Sequence, residues 1–189
     1  AYCYENGHGV EKDFYKAFEL YKKSAMGGDA KAQFNLGRYY YSGKGVERNF
    51  KEAFNWFMRA AEKGDDEAQF TLGSCYFYGV GVEVDYEKAV HWFTKTAEQG
   101  NVDALCILGD CYQLGQGVAQ NFEEAVNCFR KAAEKGSSKA QCLLAYCYQT
   151  GQGVDKNIDK AVEWYEKAAK QGDENAYKKL LELGRAVVY

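Results

Sequence analysis

Apolar residues recur along the chain with helical spacing, in two patterns that alternate. Ala32, Leu36 and Tyr40 are four residues apart, which places them on one face of a helix from Asp29 to Ser42. A second helix follows, and its predicted buried face consists of Phe50, Ala53, Phe54, Phe57 and Ala61. We call these the first-type and the second-type helix, and the same pair recurs every 36 residues.

Glycines separate the predicted helices. A Gly-x-Gly-Val element follows each first-type helix except the last and occupies residues 7–10, 43–46, 79–82, 115–118 and 151–154. Glycine adopts positive φ without steric cost, so the element suits a tight reversal of the chain. It follows a helix rather than a strand and lacks a Gly-Lys-Ser/Thr signature, which argues against a phosphate-binding loop. We interpret it as the hinge that sets the phase of an internal repeat.

Helix starts are marked by side chains that accept hydrogen bonds from the first turn. The residues predicted to cap second-type helices are Asp13, Asn49, Asp85, Asn121 and Asn157. Those predicted to cap first-type helices are Asp29, Asn101, Ser137 and Asp173. The spacing of Asn49 to Glu52, and of Asn121 to Glu124, further predicts reciprocal capping boxes.

Neither helix of a pair can bury its apolar face alone, so neighbouring pairs must stack. The sequence therefore predicts an all-α solenoid forming a single domain over residues 1–189. Its parts are a partial first repeat at 1–12, repeats to about residue 184, and a tail at 185–189. Because the chain opens with Ala1 partway through a repeat, we expect it to be a piece of a longer protein.

Composition and charge narrow the possible partners. With 47% apolar residues and no proline, the chain is typical of an ordered helical protein. The net charge is -3 and no Lys/Arg run exceeds two residues, which disfavours nucleic acid and anionic membrane surfaces. No apolar stretch approaches the roughly 20 residues of a membrane span, so no membrane insertion is predicted.

The candidate chemical groups are cysteines and histidines. The seven cysteines cannot all pair within one chain, which favours reduced thiols and a reducing compartment such as the cytoplasm. Equivalent positions in stacked repeats lie about 10 Å apart, too far to share a metal ion. His8 and His91 have no serine or carboxylate at a recurring offset. We therefore predict no metal, no cofactor and no catalytic residues.

The repeat resembles a known family. The order Ala-x3-Leu-Gly-x2-Tyr-x2-Gly-x-Gly-Val, then Asp or Asn, then Trp-aromatic-x-Lys-Ala-Ala, is similar to that of Sel-1-like repeats (SLR), relatives of tetratricopeptide repeats. Residues 32–64 match nearly completely and include Trp56, Phe57 and the final Gly64. The resemblance extends to about residue 184. Departures include Cys128 in place of tryptophan and Ala145 in place of glycine.

The resemblance implies a right-handed α-α superhelix of about five 36-residue repeats. It also implies a non-enzymatic scaffold or adaptor that binds a protein or peptide on a concave face lined by first-type helices. The side chains on that face, opposite the packed one, are Lys31, Phe34, Arg38, Tyr41, Glu67, Phe70, Ser74, Phe77, Tyr78, Asp103, Asp110, Gln113, Lys139, Tyr146 and Gln149.

Aromatic side chains among these suit the anchors of a peptide groove, with charges fixing the register. The hypothesis assigns this anchoring role to Phe34, Tyr41, Phe70, Phe77 and Tyr78. An equally open interpretation is that Phe34 and Phe70 pack between adjacent helices, since Cys106 and Cys142 occupy equivalent positions.

Two other functions remain as alternatives. The first is a hydrolase of the β-lactamase-like kind, associated with a cysteine-rich branch of the same family. The resemblance implies that the disulfides of this branch would join positions 61 and 68, or positions 97 and 104. This chain has alanine at all four positions, so the branch is disfavoured. The second is a structural module that self-associates through the uncapped N-terminal end of the array.

Overall fold

The computed structural model describes residues 1–185, which form eleven α-helices and no strands. The helices are α1 (Tyr2–Asn6), α2 (Phe14–Met26), α3 (Ala30–Ser42), α4 (Phe50–Glu62), α5 (Asp66–Tyr78), α6 (Tyr86–Glu98), α7 (Val102–Leu114), α8 (Phe122–Glu134), α9 (Ser138–Thr150), α10 (Ile158–Lys170) and α11 (Glu174–Glu182). Odd numbers are first-type helices and even numbers second-type. The all-α class and the paired helices are therefore confirmed.

The chain divides into two compact units, Ala1–Thr96 and Ala97–Tyr189. We call them unit 1 and unit 2 and describe each by itself. The prediction of a single domain stays a prediction. Of the tail predicted at residues 185–189, only Arg185 lies within the described residues.

Capping side chains begin the helices as predicted. In second-type helices, Asp13 accepts from the backbone N–H of Lys16 and Asn49 from that of Glu52, at 2.9 and 3.0 Å. In first-type helices, Asn101 accepts from Ala104 and Asp173 from Ala176, both at 2.9 Å. The first turn also donates to the remaining predicted caps, which are Asp29, Asp85, Asn121, Ser137 and Asn157. Asp65, which was not among the predicted caps, accepts from the first turn of α5 in the same way.

The capping-box prediction is wrong in its second half. A capping box needs the backbone N–H of the cap residue to be free for the glutamate side chain. The N–H of Asn49 instead donates to the carbonyl oxygen of Tyr40, at 2.9 Å, and that of Asn121 to Tyr112, at 2.8 Å. Equivalent bonds join residues 13 to 4, 85 to 76 and 157 to 148. This bond ties the start of each second-type helix to the preceding first-type helix.

The two glycines of the hinge have different structural roles. The first, as at Gly151 with φ 79°, is the left-handed residue that ends a first-type helix. The second, as at Gly153 with φ 69°, lies against the backbone of the preceding second-type helix. A Cβ atom on Gly153 would overlap the carbonyl oxygen of Phe122, and one on Gly81 would overlap that of Phe50. At these two hinges the second glycine is thus required both for its φ angle and for its lack of a side chain.

The core of unit 1 follows the predicted apolar faces with one exception. Leu36 and Ala53 are fully buried and Phe57 is 2% exposed. The prediction that Phe50 is buried is wrong, because its side chain is 40% exposed. Phe50 begins α4 opposite the last turn of α3, where its ring contacts that of Tyr41 with the centroids 5.3 Å apart.

One core contact recurs with two compositions. Gly37 in α3 lies against the ring of Phe57 in α4, so closely that a Cβ atom on the glycine would be 2.6 Å from the ring. Glycine also faces phenylalanine at residues 73 and 93, and at residues 109 and 129. At the equivalent positions in α9 and α10 the chain has Ala145 and Tyr165. We call this the small-residue and ring contact. Where alanine replaces glycine at residue 145, tyrosine therefore also replaces phenylalanine at residue 165.

The tyrosine in this contact has a polar partner. The hydroxyl of Tyr165 donates to Oε1 of Gln149 at 2.8 Å. In unit 1, the equivalent Tyr21 hydroxyl donates to Oε2 of Glu5 at 2.9 Å, and the equivalent small residue is Ala1. A buried hydroxyl without a partner is unfavourable, and each of these two tyrosines has an acceptor 16 residues earlier in the chain.

Candidate functional site

The first-type helices of unit 1, together with Tyr21 of α2, line a polar cleft, which we call the acidic cleft. Its volume is about 470 Å³. It is lined by Tyr2, Glu5, Asn6, Tyr21, Lys31, Phe34, Asn35, Arg38, Asp65, Asp66 and Glu67. Four of these residues carry a carboxylate and two carry a cationic group. The carboxylates therefore outnumber the cations, and the cleft favours positive charge.

A second cleft lies between α3 and α5, and we call it the apolar cleft. Its volume is about 410 Å³, and it is lined by Phe34, Arg38, Tyr41, Phe57, Thr71, Ser74, Cys75, Tyr78 and Val80. Arg38 is the only charged residue in this lining. Tyr41 and Tyr78 are 49% and 67% exposed, so their rings are accessible at its rim.

Phe34 and Arg38 line both clefts and so join them. Phe34 is 7% exposed and its ring packs on Phe57, with the centroids 5.6 Å apart. Arg38 is exposed, and its guanidinium donates one hydrogen bond, of 3.3 Å, to Asn35 on the same helix. No carboxylate within residues 1–185 forms an ion pair with Arg38.

The clefts contain seven of the residues predicted for the binding face: Lys31, Phe34, Arg38, Tyr41, Glu67, Ser74 and Tyr78. Phe70 and Phe77 lie outside both linings, and their rings pack on Phe93 at centroid distances of 5.7 and 6.1 Å. Phe70 is thus a packing residue, as the second interpretation expects. Phe34 packs on Phe57 and also lines both clefts.

Several lining residues were absent from the sequence prediction. Asp66 comes directly after the cap residue Asp65, and Val80 is the variable residue of a Gly-x-Gly-Val hinge. Glu5 lies in the partial first repeat. A signal for Asp66 was present, because three consecutive acidic residues at 65–67 occur at only this one of the helix starts.

The predicted residues of unit 2 are largely engaged with their own chain. Lys139 forms an ion pair with Asp110 at 3.8 Å, and Gln149 accepts the hydroxyl of Tyr165. Burial raises the pKa of the Asp110 carboxyl, and the charge of Lys139 opposes that shift. The backbone carbonyl of Gln113 accepts from the Gln120 side chain at 2.8 Å.

Two further predicted residues of unit 2, Asp103 and Tyr146, are exposed. Cys106, which is equivalent to Phe34, is 3% exposed, and its Sγ lies 3.9 Å from the hydroxyl of Ser137. The position equivalent to Phe34 is therefore a packing position at Cys106 in unit 2.

Five of the seven thiols have the environment of packing groups rather than nucleophiles. Burial raises the pKa of Cys75, Cys111, Cys128, Cys142 and Cys147 to about 11. Because the thiolate is the reactive form, these thiols are weak nucleophiles at neutral pH. Within the described part of the chain, no group of three potential metal ligands occurs, and no helix is long and apolar enough to cross a membrane.

The repeat pattern matches a family model. The Sel1 repeat model matches residues 1–29, 30–65, 66–101, 102–137 and 138–173. This chain belongs to the Sel1 repeat family. Sel1 repeat proteins are generally non-catalytic scaffolds for protein interactions.

Solved Sel1 repeat structures have the same fold. The chain is 38% identical to c5321, a protective antigen of uropathogenic Escherichia coli with an SLR fold, at a TM-score of 0.91. The match covers 99% of this chain and 41% of the E. coli protein, so the chain spans less than half of that relative. A Sel1 repeat protein from Oxalobacter formigenes is 40% identical over 95% of this chain and 73% of its own, at a TM-score of 0.82.

A more distant likeness is to Helicobacter pylori cysteine rich protein B. It is 26% identical over 70% of this chain and 96% of its own, at a TM-score of 0.56. Residues 61 and 68, where the sequence resemblance implies a disulfide in the cysteine-rich branch, are both alanine in this Sel1 chain and fully buried. No curated protein sequence matches the chain.

Proposed function

We propose that this Sel1 repeat chain is a non-enzymatic scaffold that binds a protein or peptide segment on the outward faces of α3 and α5. The observation that carries the proposal is the continuity of the acidic and apolar clefts, which meet at Phe34 and Arg38. An extended segment can therefore place successive side chains in both clefts. Phe34 and Phe57 supply a packed floor to the apolar cleft, which reduces the ordering needed on binding.

The rim residues have the properties of binding hot spots. Tyr41 and Tyr78 combine a large apolar ring with a polar end and have only two side-chain torsions to fix. Arg38 retains donor groups without an ion-pair partner among the described residues. Arginine and tyrosine are enriched among the residues that dominate interface energies.

The test is selection of peptides from a random library displayed on phage, with the wild-type chain as bait. Titration calorimetry then measures the dissociation constants of selected peptides for variants. We expect Tyr78→Ser to weaken binding at least about tenfold, because hot-spot truncations typically cost about 2 kcal/mol or more.

Tyr15→Ser is the matched control, since Tyr15 is 64% exposed, close to the 67% of Tyr78, and lines neither cleft. Equal losses in the two variants would contradict the proposed surface. So would selected peptides whose affinity neither variant changes.

A second candidate function, self-association, is favoured by exposed apolar side chains on α1 and α2. Tyr2, Leu20 and Met26 are 60%, 42% and 73% exposed, and Tyr2 and Leu20 line a further cleft of about 470 Å³. On this proposal, sedimentation velocity of the wild type shows a sedimentation coefficient that rises with concentration. The double variant Tyr2→Ser/Leu20→Ser remains monomeric. A concentration-independent wild-type coefficient would exclude self-association through this surface.

A further inference from the structure

We propose that the segment bound by the two clefts carries a basic side chain within two residues of an apolar one. The basic group lies in the acidic cleft and the apolar group in the apolar cleft. This inference rests on the proposed function, and it adds the chemistry of the ligand.

The acidic cleft has carboxylates that the chain itself leaves available. Asp65 uses a carboxylate oxygen to accept the N–H of Ala68 at 2.9 Å, as a helix cap. Asp66 and Glu67 are exposed and form no ion pair with any residue from 1 to 185. Two adjacent carboxylates at the rim of a cleft attract a lysine or arginine side chain.

Two neighbouring features act against cation binding, but neither removes the surplus of negative charge. The N-terminus of α5 carries a partial positive charge equivalent to about half an elementary charge. Lys31 and Arg38 also line the acidic cleft. Together these contribute less positive charge than the four lining carboxylates contribute negative charge, even though Glu5 accepts the hydroxyl of Tyr21.

Arg38 fixes which group of the ligand occupies which cleft. It is the only charged lining residue of the apolar cleft, so a ligand cation placed there would meet its guanidinium without a compensating carboxylate. An apolar side chain meets Phe34, Phe57 and Cys75 instead. The same arginine therefore directs the basic group away from the apolar cleft and toward Asp66 and Glu67.

The separation of the two groups follows from residues on α5 that line one cleft each. Glu67 lines the acidic cleft and Thr71 the apolar cleft, and these residues are four apart on one helix, so their Cβ atoms are about 5–6 Å apart. In an extended segment, residues i and i+2 lie on the same side and are about 6.6–7 Å apart. A basic and an apolar residue separated by one position therefore match the spacing of the clefts.

The experiment uses two nine-residue peptides in a glycine and serine context, with Lys-Ser-Leu or Glu-Ser-Leu at the centre. Affinities are measured by titration calorimetry for the full chain and two charge variants. We expect the wild type to bind the lysine peptide at least tenfold more tightly than the glutamate peptide. In the variant Glu67→Lys the preference is reversed.

Glu62→Lys is the matched control. It makes the same charge change on α4, at an exposed residue that lines neither cleft, and leaves the preference unchanged. A wild-type preference for the glutamate peptide would overturn the inference, because it would assign the ligand's charged group to Arg38. A preference that Glu62→Lys changes as much as Glu67→Lys would overturn it too, since the cause would then be net charge.

Failure of the inference is distinguishable from failure of the proposed function. If phage-selected peptides depend on Tyr78 but contain no excess of lysine or arginine near their apolar residue, the binding surface stands and the ligand chemistry is wrong. If neither peptide binds and no selected peptide depends on Tyr78, both fail. Dimerisation of the wild type that Tyr78→Ser abolishes would also overturn the inference, by assigning the clefts to a second copy of the chain.

Discussion

Replacing Gly153 with alanine is expected to lower the free energy of unfolding by about 3–5 kcal/mol, one of the two largest effects of a single substitution proposed for this chain. Two physical terms add. An L-residue held at φ 69° is disfavoured by about 1–2 kcal/mol. The new Cβ atom would also overlap the carbonyl oxygen of Phe122, a backbone atom that can move only if α8 shifts.

Gly136→Ala isolates the second term. Gly136 also lies in unit 2 and has φ 94°, but no atom lies within 4 Å of the position its Cβ would take. We expect this control to lose only the backbone term, about 1–2 kcal/mol. Urea unfolding followed by circular dichroism at 222 nm measures both losses. Similar values for the two variants would show that the approach to Phe122 does not constrain the hinge.

Replacing Phe57 with alanine is expected to lower the free energy of unfolding by about 3–5 kcal/mol. The ring is 2% exposed and packs against Gly37 and the ring of Phe34. Gly37 has no side chain that could move into the vacated volume, so the cavity closes poorly. The same substitution removes part of the lining of the apolar cleft, and binding of selected peptides should weaken with stability.

Phe50→Ala provides the comparison within the same helix. Phe50 is 40% exposed, and its ring contacts Tyr41 and lies 5.2 Å from the guanidinium of Arg48. Its truncation should cost about 1 kcal/mol, because only part of the ring leaves water on folding. Chemical denaturation monitored by tryptophan fluorescence compares the two variants. Equal losses would mean that burial of Phe57 in the structure does not reflect its energetic role.

Much of the fold could be predicted from local chemistry repeated in phase. Asn49 and Asp173 cap helices because each has a side-chain oxygen directly before an apolar helical pattern, where it accepts a backbone N–H of the first turn. Gly151 ends a first-type helix because its φ angle is positive. These features depend on a few neighbouring residues, and their recurrence in five copies in register shows that they are not chance matches.

The errors occurred where the outcome depends on what another helix supplies. Phe50 has the helical spacing of a core residue, but periodicity does not show that α3 ends beside it. The spacing of Asn49 and Glu52 permits a capping box, yet the N–H of Asn49 has one hydrogen to donate and Tyr40 accepts it. Competition between partners distant in sequence is not visible in a local pattern.

The candidate site was predictable in part for the same reason. The outward positions of α3 follow from the helical repeat, so Lys31, Arg38 and Tyr41 were found. Sequence spacing alone could not distinguish Phe34, which lines both clefts, from Phe70, which packs on Phe93 outside them. The grouping of Glu5 with Asp66 in one cleft requires three first-type helices to lie side by side.

The small-residue and ring contact determines where this chain can be cut and rejoined with other repeats. The small residue lies in a first-type helix, as at Ala145, and its ring lies in the second-type helix that follows, as at Tyr165. The acceptor of the tyrosine, Gln149, is in the same first-type helix as the small residue. Exchanging segments that begin at a first-type cap, such as residues 137–172, transfers all three together. A junction at the Gly-x-Gly-Val hinge would instead separate the small residue from its ring. Alanine would then face phenylalanine and the acceptor would lack its hydroxyl, or glycine would face tyrosine and the hydroxyl would lack its acceptor. The modular unit of this array therefore begins at the Asp, Asn or Ser cap, although the hinge is the more conspicuous mark in the sequence.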